Sequence, residues 1–228
     1  SSSQVIEIPA KQPSPGEICV VSVDSLSGEN LVILKDAGSE GMVSAKVHLL
    51  GKTGSYQLLK AIDPGMTNFI EDPGSNSEIT SYRYRITYMD ACGNESEPGA
   101  FHETMHVVAT PDMTLKRANL FWNAYQGIAY DFFKIYRYAE EAGFELIDTV
   151  PRIENKDFYT YTDLNPPLDD TIQYVIAIEL AGSCESFKKR GGTHNTARSN
   201  KTKKIKVAKS GSSVIKDHST SLRIYPNP

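Results

Sequence analysis

Tyr82-Arg83-Tyr84-Arg85-Ile86-Thr87-Tyr88 decides the fold class. Its aromatic and aliphatic residues fall on every second position, with Arg83, Arg85 and Thr87 between them. A period of two puts one row on a buried face and the other in water, which is the pattern of a half-covered β-strand. Nearer the start, Ile18, Val20 and Ser22 alternate with Cys19, Val21 and Val23. Both of those rows are largely apolar, so this strand is expected to be covered on both faces. Lys134-Ile135-Tyr136-Arg137-Tyr138 followed by Glu140-Glu141-Ala142-Gly143 is the one stretch with a helical flavour, and it reads better as a strand and a hairpin turn. Turn residues separate the runs, among them Ser27-Gly28-Glu29-Asn30, Asp63-Pro64-Gly65, Asp72-Pro73-Gly74 and Cys92-Gly93-Asn94.

The deciding stretch has a partner. Tyr82–Tyr88 is echoed by Ile172-Gln173-Tyr174-Val175-Ile176-Ala177-Ile178 at a spacing of about 90 residues. Tyr56–Ile62 is echoed by Phe144–Val150, and Asn30-Leu31-Val32-Ile33-Leu34 by Asn119-Leu120-Phe121-Trp122. Three anchors in the same order predict a duplicated all-β unit, each copy a sandwich of about seven short strands. The expected division is a linker over 1–14, a first domain over 15–107, a second over 108–208, and a flexible linker with a terminal segment over 209–228. The junction between copies holds no glycine and one proline before Leu115, so stiff coupling and an end-to-end pair are expected. With 228 residues, 39% hydrophobic and 23% charged, each copy can bury its own core. A formal charge of -4 gives no reason to expect nucleic acid, and no apolar run approaches the roughly 20 residues of a membrane helix.

These residues resemble the fibronectin-type-III-like, immunoglobulin-like modules of surface proteins from Bacteroidetes. The resemblance rests on Tyr82–Ile86, Asp90-Ala91-Cys92-Gly93-Asn94-Glu95-Ser96 and His102–Val107 in the first copy. In the second it rests on Leu120-Phe121-Trp122-Asn123-Ala124-Tyr125-Gln126-Gly127, Lys134–Arg137 and Tyr161-Thr162-Asp163. One departure is Leu34, which stands where the second copy has Trp122. Leu222, Arg223, Ile224, Tyr225, Pro226, Asn227 and Pro228 resemble the opening of a C-terminal sorting domain of the type IX secretion system. The two resemblances together imply a secreted or cell-surface protein, monomeric, whose partners are other domains of its parent and, in the alternative, glycan or protein ligands.

The motifs that carry chemistry elsewhere lack their context here. His102-Glu103-Thr104-Met105-His106 matches H-E-x-x-H, which binds zinc when a helix puts both imidazoles on one face. On a strand the two rings stand about 13 Å apart, too far for one tetrahedral ion. An edge strand is therefore expected, with no metal, no cofactor and no catalysis. His48, His194 and His218 are isolated, and no G-x-S-x-G elbow or phosphate loop occurs. Glu71-Asp72 and Asp169-Asp170 read as solvated turns without a calcium loop's ligand spacing. Lys188-Lys189-Arg190, Arg198, Lys201, Lys203-Lys204, Lys206 and Lys209 read as the last strand of the second copy and the loop before it. Tyr125, Tyr130, Tyr138 and Tyr161 are candidates for sugar stacking, with core packing as the plainer assignment.

In the resembled topology the first strand begins at the end of the sandwich where the sixth finishes. A Cys19–Cys92 disulfide is therefore expected, with Cys184 unpaired; three reduced thiols are the alternative. The function expected is a non-catalytic spacer positioning an upstream domain. The alternative is an adhesion or carbohydrate-binding module using the sandwich-end loops.

Overall fold

The structure is a computed structural model that describes residues 12–35, 41–140, 142–187 and 192–208. Lys188-Lys189-Arg190, Lys209, His218 and the segment Leu222–Pro228 lie outside the described residues.

Every regular element among the described residues is a strand, as the period of two requires. The first sandwich contains β1 (Glu17–Val23), β2 (Asn30–Lys35), β3 (Met42–Leu50), β4 (Tyr56–Ile62), β5 (Phe69–Asp72), β6 (Arg83–Asp90) and β7 (His102–Glu103). One sheet runs β1-β2-β5 and the other β4-β3-β6-β7. The second contains β8 (Val107–Asp112), β9 (Arg117–Asn123), β10 (Phe132–Ala139), β11 (Gly143–Pro151), β12 (Phe158–Asp163), β13 (Thr171–Ser186), β14 (Gly192–Arg198) and β15 (Ile205–Lys206). It repeats the order as β12-β9-β8 facing β11-β10-β13-β14, with β15 also on β13. Two fibronectin type III-like sandwiches follow from that strand order.

The last strand of each copy is broken, and hydroxyls repair the ladder. Ser96 Oγ accepts from Tyr88 N–H and Thr104 Oγ1 from Tyr82 N–H, both at 2.9 Å. Ser199 Oγ and Thr202 Oγ1 do the same for Ile176 and Tyr174 in the second copy. A side-chain oxygen there replaces the carbonyl that an unbroken strand would offer.

The first core is aliphatic with two tyrosines: Val32, Leu34, Ile70, Ile86, Tyr84 and Tyr88. The second is aromatic around Trp122, which stacks on Tyr159 at 5.8 Å and meets the edge of Phe133 at 5.6 Å. Each copy also buries one tyrosine hydroxyl on an aspartate. Tyr84 donates to Asp72 at 2.7 Å and Tyr174 to Asp163 at 2.9 Å. Asp72 is thus a buried acceptor rather than a solvated turn residue.

The predicted cysteine pairing is wrong. Cys19 is bonded to Cys184 of the other sandwich, with Cα atoms 5.9 Å apart, and Cys92 is an exposed free thiol. The register of β1 slips between Ile18 and Val20. This bulge leaves Ile18 and Val21 facing their own core while Cys19 and Val20 both face the second sandwich. Cys92 sits in a turn of its own, its N–H bonded to Asp90 Oδ1 at 2.9 Å. The side chain of Cys19 therefore points away from the sandwich that contains Cys92.

Candidate functional site

The most constructed region of the molecule is the junction between the sandwiches. β13 is much longer than β6, its counterpart, and continues past its own sandwich. Between Glu179 and Cys184 its pairing with β14 jumps from Thr196 to His194. The unpaired Leu180–Ser183 segment bends the β13–β14 hairpin towards β1, the usual mechanical effect of a bulge. The hairpin then lies across the outer face of β1-β2-β5. Cys19, Val20, Leu31, Ile33 and Phe69 of the first sandwich pack into the same apolar cluster as Trp122 and Tyr174 of the second. The two-faced apolar pattern of β1 has this cause: one face meets its own core and the other meets the neighbour.

Polar contacts fix the register of this docking. Arg198 N–H donates to Ser22 Oγ at 3.0 Å. Asn68 bridges to the hairpin tip, donating to Glu185 O at 2.6 Å and accepting from Phe187 N–H at 3.0 Å. Tyr125, from the second sandwich, accepts from Val21 N–H at 2.8 Å and lies 2.9 Å from His102 Nδ1. The chain crossing between sandwiches is held by amides. Asn123 Oδ1 accepts from His106 N–H, and Asn200 binds both the N–H and the C=O of Val107. Stiffness was anticipated from the composition of the crossing; the structure adds a lateral disulfide-bonded clamp to it.

His102-Glu103-Thr104-Met105-His106 lies at this crossing. His102 and Glu103 form the short edge strand β7, and Glu103 takes two hydrogen bonds from Arg83. His102 is buried, and burial pushes its imidazole down to about 4, so it is neutral at physiological pH. His106 Nδ1–H donates to Ser77 O at 2.8 Å. Met105 is fully buried. Gly127, at φ +117°, packs on the His102 ring; a Cβ there would stand 2.5 Å from two ring carbons. Each residue of the motif has a junction role, and the two imidazoles bind different partners. No group of three or more His, Cys, Asp or Glu side chains suited to a metal occurs among the described residues.

The other sequence candidates disperse. Tyr125 and Tyr130 are buried, and burial raises both hydroxyls. Tyr161 is partly covered and pushed up to about 12 by burial and by Asp148. His48 bonds Thr87 Oγ1, and His194 bonds Ser186 Oγ beside the hairpin tip. Lys201 stands over the rings of Tyr138 and Phe144 at 5.3 Å from each. Lys201 and the Phe144 ring border a cleft of about 490 Å³ between the Asp24–Gly28 turn of the first sandwich and Tyr136, Gln173 and Val175 of the second. A shallower cleft of about 780 Å³ lies beside the disulfide, lined by Gly16, Gly99, Ala129 and Gly182. Sequence reasoning missed Asn68, Asn123, Asn200 and Ser22. Their only signal was amides and hydroxyls within or beside apolar strands, where a buried partner is needed.

No family model matches the chain, and no curated protein matches it. Among solved structures, it is similar to the chicken interferon gamma receptor alpha chain, at 11% identity and a TM-score of 0.30, over 86% of this chain and 100% of that one. It is similar to the FN1–FN3 domains of chicken CNTN1 at 12% identity and a TM-score of 0.30, over 86% of this chain and 68% of that one. A tetra-tandem repeat in the extending region of a large adhesion protein matches at 13% identity and a TM-score of 0.31. There the match covers 84% of this chain and 49% of that one.

Proposed function

We propose that this chain is a non-catalytic rigid spacer within a larger exported protein, its two sandwiches held at one fixed angle. The observation that carries the proposal is the β13–β14 hairpin, bonded covalently through Cys184 to Cys19 and buried against β1-β2-β5. A pair joined by a flexible linker would need neither. The proposed modules span 15–107 and 108–208. The disulfide supports an extracellular location, since such bonds form and persist in oxidising compartments. We further propose that the parent belongs to a Bacteroidetes surface protein exported through a type IX signal beginning near Leu222. Normal surface delivery after deletion of everything beyond Ser221 in the native host would defeat that part.

The test of the spacer is orientational. Residual dipolar couplings should fit one alignment tensor for both sandwiches, and Cys19→Ser with Cys184→Ser should split it into two. Independent tensors in the unmodified protein would overturn rigidity. The cleft bordered by Tyr136, Phe144 and Lys201 favours a second reading, a glycan- or protein-binding module. A specific hit on a glycan array that is lost in Tyr136→Ala would establish that reading instead.

A further inference from the structure

The cleft of about 490 Å³ between the sandwiches has two chemically different walls. A cavity of about 300–1,000 Å³ at a domain interface is the usual setting of a small-ligand site. One wall is the outer face of the β11-β10-β13-β14 sheet, where Tyr136 pairs with Val175 and both line the cleft. Gln173 lies on the same wall, its amide held by donation to Thr202 O at 2.7 Å. The other wall is the Asp24–Gly28 turn with Glu78. That turn is braced: Leu26 N–H donates to Asp24 Oδ1 at 2.7 Å, and Ser77 Oγ donates to Gly28 O at 2.6 Å. The two sandwiches are tied together beside it, where Arg198 N–H meets Ser22 Oγ.

The charges on these walls do not neutralise one another. Arg198, at the end of β14, and Lys201, just after it, form no ion pair among the described residues, and neither does Glu78. Elsewhere on the same sheet Lys134 pairs with Glu179, and Arg137 with Glu145 and Asp163. The rings of Tyr138 and Phe144 steady the Lys201 ammonium at 5.3 Å from each. One wall thus offers an aromatic ring, an oriented amide and a guanidinium without a counter-charge, and the other a carboxylate. A guanidinium takes a carboxylate in a bidentate fork. A carboxylate accepts from hydroxyls, and an aromatic ring packs on an apolar face. A sugar acid joins all three complements, with a carboxylate at one edge, hydroxyls round the others and a C–H face between them.

We infer that this cleft binds a glycan bearing a sugar carboxylate, a uronic or sialic acid residue. Arg198 takes the carboxylate, Tyr136 packs on the C–H face of the pyranose, and Glu78 accepts from its hydroxyls. This ligand class rests on the binding-module reading of the same cleft. Because each sandwich supplies one wall, the disulfide clamp that fixes their angle also fixes the site.

Amide NMR titration of the 228-residue chain tests it, with oligosaccharides of galacturonic, glucuronic and sialic acid at millimolar concentration, each beside its carboxyl-reduced counterpart. Shifts should gather at Tyr136, Gln173, Arg198 and the Asp24–Gly28 turn. At least one acid should bind about 10- to 100-fold more tightly than its reduced form. Arg198→Gln, which keeps the backbone bond to Ser22, should abolish that preference, while Tyr136→Ala should weaken acid and neutral forms alike. Lys203→Gln with Lys204→Gln should leave the affinity unchanged. Equal binding of a glutamate peptide would overturn the inference, as would dependence on Lys203 and Lys204 in place of Arg198. A neutral sugar that fills the cleft as tightly as any acid would overturn it too, yet leave the binding-module reading standing, so the two failures are distinguishable. Absence of shifts with every sugar would end both.

Discussion

His102 and Gly127 show how single residues set the junction. The imidazole is held near 4, against 6.5 for a free histidine, because burial penalises its cation. Its neutral form therefore stabilises the fold fully above pH 6.5. As pH falls the unfolded chain takes up the proton first, so this contribution is lost progressively between pH 6.5 and 4, by about 3 kcal/mol. Denaturant titrations at pH 7 and pH 4 should show that loss in the unmodified chain and a clearly smaller one in His102→Gln. Gly127→Ala meets both a positive φ and the ring of His102. It should cost about 2 kcal/mol or more. Proton NMR should then show His102 titrating nearer its free value, since the ring must move. An unchanged melting temperature would contradict the packing described.

At the scale of elements, the β13–β14 hairpin carries the coupling. Closing so long a chain loop, with Cys19 and Cys184 separated by 165 positions, stabilises by about 5 kcal/mol in the chain-entropy account, with measured values often lower. Cys19→Ser with Cys184→Ser should cost between about 2 and 5 kcal/mol. Amide exchange should accelerate most at Thr193–Ala197, and hardly at all in β10. Uniform acceleration would mean that the hairpin tip is not the element released. The alternation of β6 was legible in the sequence because a half-wet strand writes its two faces into its residues. The double covering of β1 was legible for the same reason. The bulge at Cys19 was not: an extra residue in a ladder leaves no mark in an all-apolar run. The partner of Cys19 was hidden too, since the excess length of β13 looks like ordinary strand and its destination depends on the angle between modules. Asn68, Asn123 and Asn200 were invisible as clamps because an amide's partners are settled only in three dimensions.

For the whole molecule, a shared apolar cluster means shared fate. Val20, Ile33 and Trp122 belong to one buried group, so neither sandwich can unfold without exposing surface of the other. Calorimetry should show one transition whose van't Hoff and calorimetric enthalpies agree. Two separated transitions would mean that the junction contributes little. The position of the disulfide has a mechanical consequence as well. Cys19 lies near the start of β1, and Cys184 near the tip of the last hairpin. If the molecule is pulled between Glu17 and Val207, tension passes straight through the sulfur bridge, and almost all of both sandwiches sits in an unloaded loop. Rupture can then release only the segment Glu185–Val207, roughly 80 Å of contour, against roughly 670 Å for the reduced chain. Single-molecule stretching should record that short step with the bridge intact and the long one after reduction. A protein built in this way resists lengthening under shear by withholding its domains from the load.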